Sequence, residues 1–205
     1  MRLSHTSRAG PGIPHDQRQQ RRHRRWGFIW CWLACVCLAA AQGKPEPSEY
    51  EIKAVYLYNL TLFTVWPDSA FAATNAPILI GVLGGDPFGA TLDEMVRDKT
   101  GRPEIVQGRP LSVKRLQSGE DWHGCQVLFI CREEKENMAS LLQSLKGQPV
   151  LTVSDASGFA TQGGMINMVL VHGKVKLEIN PAPAAAAGLK ISAKLLRLAT
   201  MVNPE

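Results

Sequence analysis

Three short runs in this chain, "PILIGVL", "QVLFIC" and "PVLTVS", are apolar almost throughout and lack the in–out alternation of a strand with one wet face. Strands of that kind are buried on both faces, and when helical segments separate them the expected product is a mostly parallel sheet covered on each side. The separating segments carry helical signals. "GGDPFGATLDEMV" offers Asp86 as a cap and Pro87 as a first helical residue, and "EEKENMASLLQSLKG" has acids early, Lys146 late and Gly147 as a stop. "RPLSVKRL" is more polar and reads as an edge strand.

The pattern changes after residue 164. "MINMVLV", the turn pair His172-Gly173 and "KVKLEIN" describe a hairpin, because Val175, Leu177 and Ile179 alternate with Lys174, Lys176 and Glu178. Asn180 and Pro181 then start a last helix, expected to run through "GLKISAKLLRLATMV". Ahead of the sheet, "EYEIKAVYLYNLTLFTVW" reads as a helix ended by Pro67 and apolar on most of its circumference, so it belongs in a core or against a partner. The expected fold is a three-layer αβα sandwich, with a mixed, mostly parallel sheet of about six strands, a C-terminal antiparallel hairpin and a final helix.

The N-terminus has a different character. Residues 1–25 hold seven arginines and one aspartate, and the short uncharged stretch "WGFIWCWLACVCLAAA" follows, ending in small residues at Ala39 and Ala41. A positive segment, a short apolar segment and an A-x-A site describe a cleaved secretory signal, and a membrane-spanning helix would need ~20 apolar residues. The domain expectation is a signal peptide over 1–41, a linker over 42–48 and one domain over 49–205, working in the periplasm. Bulky Trp32 and Leu33 before Cys35 fit a lipid-attachment site badly.

Charge follows from that division. The whole chain has 23 basic and 18 acidic side chains, and removal of 1–41 leaves 16 against 17. The basic excess therefore belongs to the leader, and the rest has no basic stripe for nucleic acid. Cys125 and Cys131 bracket one strand, which holds their ends roughly 20 Å apart against a ~7 Å limit for a disulfide. They are not expected to pair within that strand. No metal site or cofactor is expected, because no histidines or cysteines stand at ligand spacing.

"VLTVSDASGFATQGGMI" invites a catalytic reading that its residues do not support. "VSDASG" is not G-x-S-x-G, and neither His123 nor His172 is near in sequence, so a serine hydrolase built on Ser154 or Ser157 is the weakest of the functional readings. "GVLGGDPFG" lacks dinucleotide-loop spacing and sets an acid where a phosphate would lie. The loop does follow the carboxyl end of an apolar strand, where open α/β sheets place ligands. Ser154, Asp155, Ser157, Phe159, Gly163 and Gly164 are therefore candidate binding residues, and Phe159 a candidate pocket anchor.

The stretches "KAVYLYNLTLFTVWP", "IGVLGGDPFG", "GRPLSVKRL", "CQVLFI", "VLTVSDASGFATQGGMI", "KLEIN" and "AGLKISAKLLRLA", in this order, resemble the YfiR family over about 50–202. The resemblance implies an exported, non-enzymatic regulator that represses a membrane-bound diguanylate cyclase, or a related inner-membrane sensor, by binding its periplasmic segment. It also implies a homodimer. Relatives usually carry a lysine and a glutamate where this chain has Leu62 and Val65, and the exchange would create an apolar partner surface. An envelope receptor with a small-molecule ligand near the 154–164 loop is the alternative expectation.

Overall fold

The computed structural model describes residues 46–202. The leader and its cleavage site therefore lie outside the described residues. Ser48 opens helix α1 (Glu49–Phe63) with a reciprocal capping box, its hydroxyl accepting from the Glu51 amide while Glu51 accepts from the Ser48 amide. The helix stops three residues short of Trp66. Pro67 disfavours helical geometry in the residue before it, and the chain turns extended as strand β1 (Thr64–Val65). Trp66 is buried, with its indole N–H donating to the Gln126 carbonyl at 2.9 Å.

The sheet is built from β2 (Ile78–Leu83), β3 (Ile105–Val106), β4 (Arg109–Leu116), β5 (Val127–Ile130), β6 (Leu151–Ser154), β7 (Ile166–Val171), β8 (Lys174–Ile179) and β10 (Thr200–Met201). Its order is β10-β8-β7-β6-β5-β2-β4-β3. The three apolar runs become β2, β5 and β6, adjacent and parallel at the centre, with Ile80 opposite Val127 and Val127 opposite Leu151. The pleat sends Val127 and Phe129 to one core and Leu128 and Ile130 to the other. Helices α1, α2 (Ala90–Met95) and α4 (Pro181–Ala186) cover the first face. Helix α3 (Met138–Leu145) and the 155–164 loop cover the second, which makes three layers.

The hairpin forms as expected. β7 pairs antiparallel with β8, and the turn residues His172 and Gly173 both take positive φ, 49° and 73°, as a type I′ turn requires.

Four expectations need correction. The sheet has eight strands rather than about six, because the two-residue strands β3 and β10 extend its margins. β4 is the edge only beyond Pro110, since β3 pairs with Arg109 and Pro110 from the outer side. α2 begins at Ala90 rather than Pro87, and Asp86 spends one carboxylate oxygen on the Phe88 amide and the other on Arg115.

The continuous final helix is the fourth. α4 ends where Gly188 takes φ +74°, and the rest becomes strand β9 (Lys190–Ile191), the single turn α5 (Ala193–Leu196) and β10. Ser192 restarts the helical turn, its hydroxyl accepting from the Lys194 amide. β9 pairs antiparallel with β1, Val65 opposite Lys190, and the Ser192 amide donates to the Phe63 carbonyl at 2.8 Å. This segment straps the end of α1, which accounts for extended geometry where a helix-like pattern stands.

Candidate functional site

At the carboxyl edge of the central strands the chain gathers charges from three distant segments. β6 ends at Ser154 and delivers Asp155; β5 ends at Ile130 and delivers Arg132; the first turns of α1 bring Glu49, Tyr50 and Lys53. Asp155 Oδ2 accepts from Tyr50 Oη at 2.8 Å, Lys53 Nζ at 2.8 Å, and Arg132 Nη2 at 2.7 Å and Nε at 3.2 Å. Lys53 also pairs with Glu49, one helical turn earlier, and Arg132 Nη2 donates to Tyr50 Oη at 2.6 Å.

The side chains of Lys53 and Asp155 are only 1% and 2% exposed, so a buried ion pair lies at the centre of a network of two acids and two bases whose outer members, Glu49 and Arg132, reach solvent. Burial alone would push the Asp155 carboxyl up; hydrogen bonds from Lys53, Tyr50 and Arg132 outweigh it and hold that carboxyl below its ordinary range. Tyr50 is pushed up to about 12, first by burial and then by the Asp155 carboxylate. The hydrogen bond to Asp155 raises Arg132 above an already high value. Chemically the cluster is a latch: every group is engaged in its charged or hydrogen-bonded form. Its effect is to fasten the entry of α1 to the sheet edge.

The neighbouring serine is engaged as well. Ser154 is buried, and its hydroxyl donates to the Ile130 carbonyl at 2.7 Å while accepting from the Ala156 amide at 3.0 Å. Neither histidine is among its partners; His172 sits exposed in the hairpin turn, and His123 is exposed beside Asp121. Ser154→Ala should lower stability by about 1–3 kcal/mol, the usual cost of stranding buried partners, as read from urea denaturation. Labelling of Ser154 by a fluorophosphonate probe would contradict its purely structural use.

The remaining candidates divide by burial. Phe159 is buried in the second core with Leu83, Leu128 and Ile130, so it anchors the loop inward instead of lining an open pocket. Gly164 is buried against that ring, and a Cβ there would come within 2.3 Å of it. Gly163 holds φ +102°, and Ser157 is the exposed tip. Leu62 and Val65 lie elsewhere, at the far end of α1, where they are 43% and 52% exposed; Val55, two turns earlier on the same helical face as Leu62, is 42% exposed.

Cys125 and Cys131 are free thiols packed into cores on opposite faces of the sheet. Burial pushes them up to about 11 and about 12, which keeps both in the unreactive thiol form at neutral pH. Among the described residues no group of three or more His, Cys, Asp or Glu is arranged to hold a metal ion.

The residues that residue-by-residue reading overlooked are Glu49, Tyr50, Lys53 and Arg132. One signal was available: Lys53 falls on the stripe that continues through Leu57 and Leu60, both buried, and a lysine on such a stripe demands a partner.

A family model described as YfiR/HmsC-like matches residues 50–200, which takes in Tyr50, Lys53, Arg132 and Asp155 of the latch, the strap, and the sheet up to the first residue of β10. The chain belongs to the YfiR/HmsC-like family. No curated protein matches it significantly. Membership sets the chain among regulators rather than enzymes at the level of the family. The matched interval runs from Tyr50, the first aromatic member of the latch, to Thr200, the first residue of β10. Among the described residues no helix is long and apolar enough to cross a membrane.

Proposed function

We propose that this YfiR/HmsC-like protein is exported to the periplasm and represses a membrane-bound diguanylate cyclase, or a related inner-membrane sensor, by contact with its periplasmic segment. The carrying observation is the apolar surface of α1 and β1, where Val55, Leu62 and Val65 stand exposed on elements otherwise committed to the core. At the opposite end of α1 the charge network fixes the helix to the sheet, and Ser154 is committed to backbone partners, so these groups serve the scaffold. The exposed loop tip at Ser157 lies on the same chain edge as the latch and is a second contact candidate.

The test is site-specific crosslinking in membranes from cells that make the wild-type protein, followed by recovery of the partner. Leu62→Glu and Val65→Glu place a charge in a contact that must shed water, so each should weaken capture at least tenfold, about 1.4 kcal/mol or more. Melting should stay near wild type, because both side chains are exposed. Undiminished capture by the double variant, or recovery of no inner-membrane sensor with the wild type, would overturn the proposal. Sedimentation of the same variants separates a homodimer seated on this surface from a sensor.

A ligand-controlled version has its own support. A cavity of about 530 Å³ opens beside the loop between α3 and α4, lined by Leu142, Thr152, Gln162, Gly163 and Pro183 among others. A pocket of this size suits a small molecule. A thermal-shift screen with nucleotides, amino acids and peptides should find a stabilising ligand whose effect is lost in Gly163→Trp, and a flat response would remove this reading.

A further inference from the structure

We propose that a second cavity, between the β4–β5 connection and α3, binds a small organic cation: an ammonium group carried on an apolar body. The cavity measures about 390 Å³, and its floor includes Glu134. This glutamate is 7% exposed, yet it has no cationic partner among the described residues. Its Oε2 accepts only from neutral donors, Ser118 Oγ at 2.9 Å and Asn137 Nδ2 at 3.2 Å. Oε1 accepts no hydrogen bond from any described residue, and it is not one of the sealed polar atoms of the fold, so it stays reachable from the cavity.

The latch shows how this fold treats its other buried carboxylate: Asp155 is met by a lysine and an arginine. A carboxylate this far withdrawn from water and met only by neutral donors is poorly compensated, and a cation entering the cavity would complete it. The rest of the lining agrees with that chemistry. It contains no lysine or arginine, and it adds a second acid, Glu120. Trp122 forms part of the wall, with His123 stacked on it at 4.3 Å between ring centroids, and an indole is the strongest aromatic partner for a cation. Leu83 and Leu141 provide the apolar contact for the body of the ligand.

An anion is excluded by the two glutamates. A divalent metal is disfavoured, because the described residues offer no set of three acidic or imidazole ligands. The position is also one from which occupancy can be felt. The single 3-10 turn Arg132–Glu136 sends Arg132 into the Asp155 latch and Glu134 into this cavity.

The experiment is calorimetric titration of the purified full-length protein with phenethylammonium and, separately, with phenethyl alcohol, which keeps the body and removes the charge. The amine should bind at least tenfold more tightly than the alcohol. Glu134→Gln retains the acceptor for Ser118 and Asn137 and should erase that preference. Ser140→Phe, from an exposed α3 position on the cavity wall, should block both compounds without touching the carboxylate. Equal binding of amine and alcohol, no amine binding into the millimolar range, or a preference that survives in Glu134→Gln would each overturn the proposal. If Glu134→Gln fails to fold, unchanged amine binding by Ser140→Phe overturns it instead.

Discussion

Asp155→Ala is expected to lower the unfolding free energy by about 3–5 kcal/mol, the range found when one partner of a buried ion pair is removed. The size follows from what the change leaves behind. Lys53 stays in an environment where its side chain is 1% exposed, with Glu49 as its remaining acidic partner, while Tyr50 and Arg132 lose their common acceptor. Arg132, 48% exposed at its side chain, can turn to water, but Lys53 cannot. Urea denaturation at neutral pH reads the loss directly. Wild-type stability in Asp155→Ala would mean that water already solvates the cluster.

The double variant Lys53→Met, Asp155→Leu separates net stabilisation from the penalty of an orphaned charge. Apolar replacement of a whole buried pair is often neutral or stabilising, so the double variant should recover most of what Asp155→Ala loses. The pH dependence has a definite sign. Asp155 titrates below its unfolded value, so its contribution is complete above the ordinary carboxylate range near pH 4 and fades as pH falls through the depressed folded value. Asp155→Asn should therefore be less stable than wild type at neutral pH, and its stability curve should be flatter at the acid end.

The central sheet was readable because burial on both faces leaves a composition that nothing else explains: "ILIGVL", "VLFI" and "LTVS" have no room for a solvent face. The hairpin was readable because the alternation of β8 and the His172-Gly173 pair express one local geometry twice. The final segment misled because helical periodicity in "ISAKLLRLA" is real for one turn, Ala193–Leu196, while Gly188 and the pairing of β9 with β1 are tertiary facts. The latch was half legible. Asp155 stood out beside the strand end, but its partners Tyr50 and Lys53 lie 105 and 102 residues away in α1 and Arg132 lies 23 residues away, and only the closing of the sheet brings them together. Phe159 illustrates the reverse error: an aromatic between small residues suggests an anchor in a site, and here the small residues are what lets it enter the core.

That last pairing yields the second large effect. Phe159→Ala should cost about 3–5 kcal/mol, as for other fully buried phenylalanines, because the ring fills the space between the loop and the second face of the sheet. Gly164→Ala should be damaging for the complementary reason: its Cβ would meet the Phe159 Cε1, Cδ1 and Cζ atoms at 2.3–2.5 Å, too close for any real contact. φ at this glycine lies outside the left-handed region, so crowding alone opposes the methyl group. The combination is the informative case. Once Phe159 is alanine, the methyl at 164 has vacated space to enter, so Phe159→Ala with Gly164→Ala should be markedly more stable than the sum of the single losses predicts. Coupling between residues in contact is commonly 0.5–3 kcal/mol, and a value in the upper part of that range is expected from a full cycle of denaturation curves. Strict additivity would mean that the loop moves away from the sheet when Phe159 is lost, and that Gly164 faces an already open space.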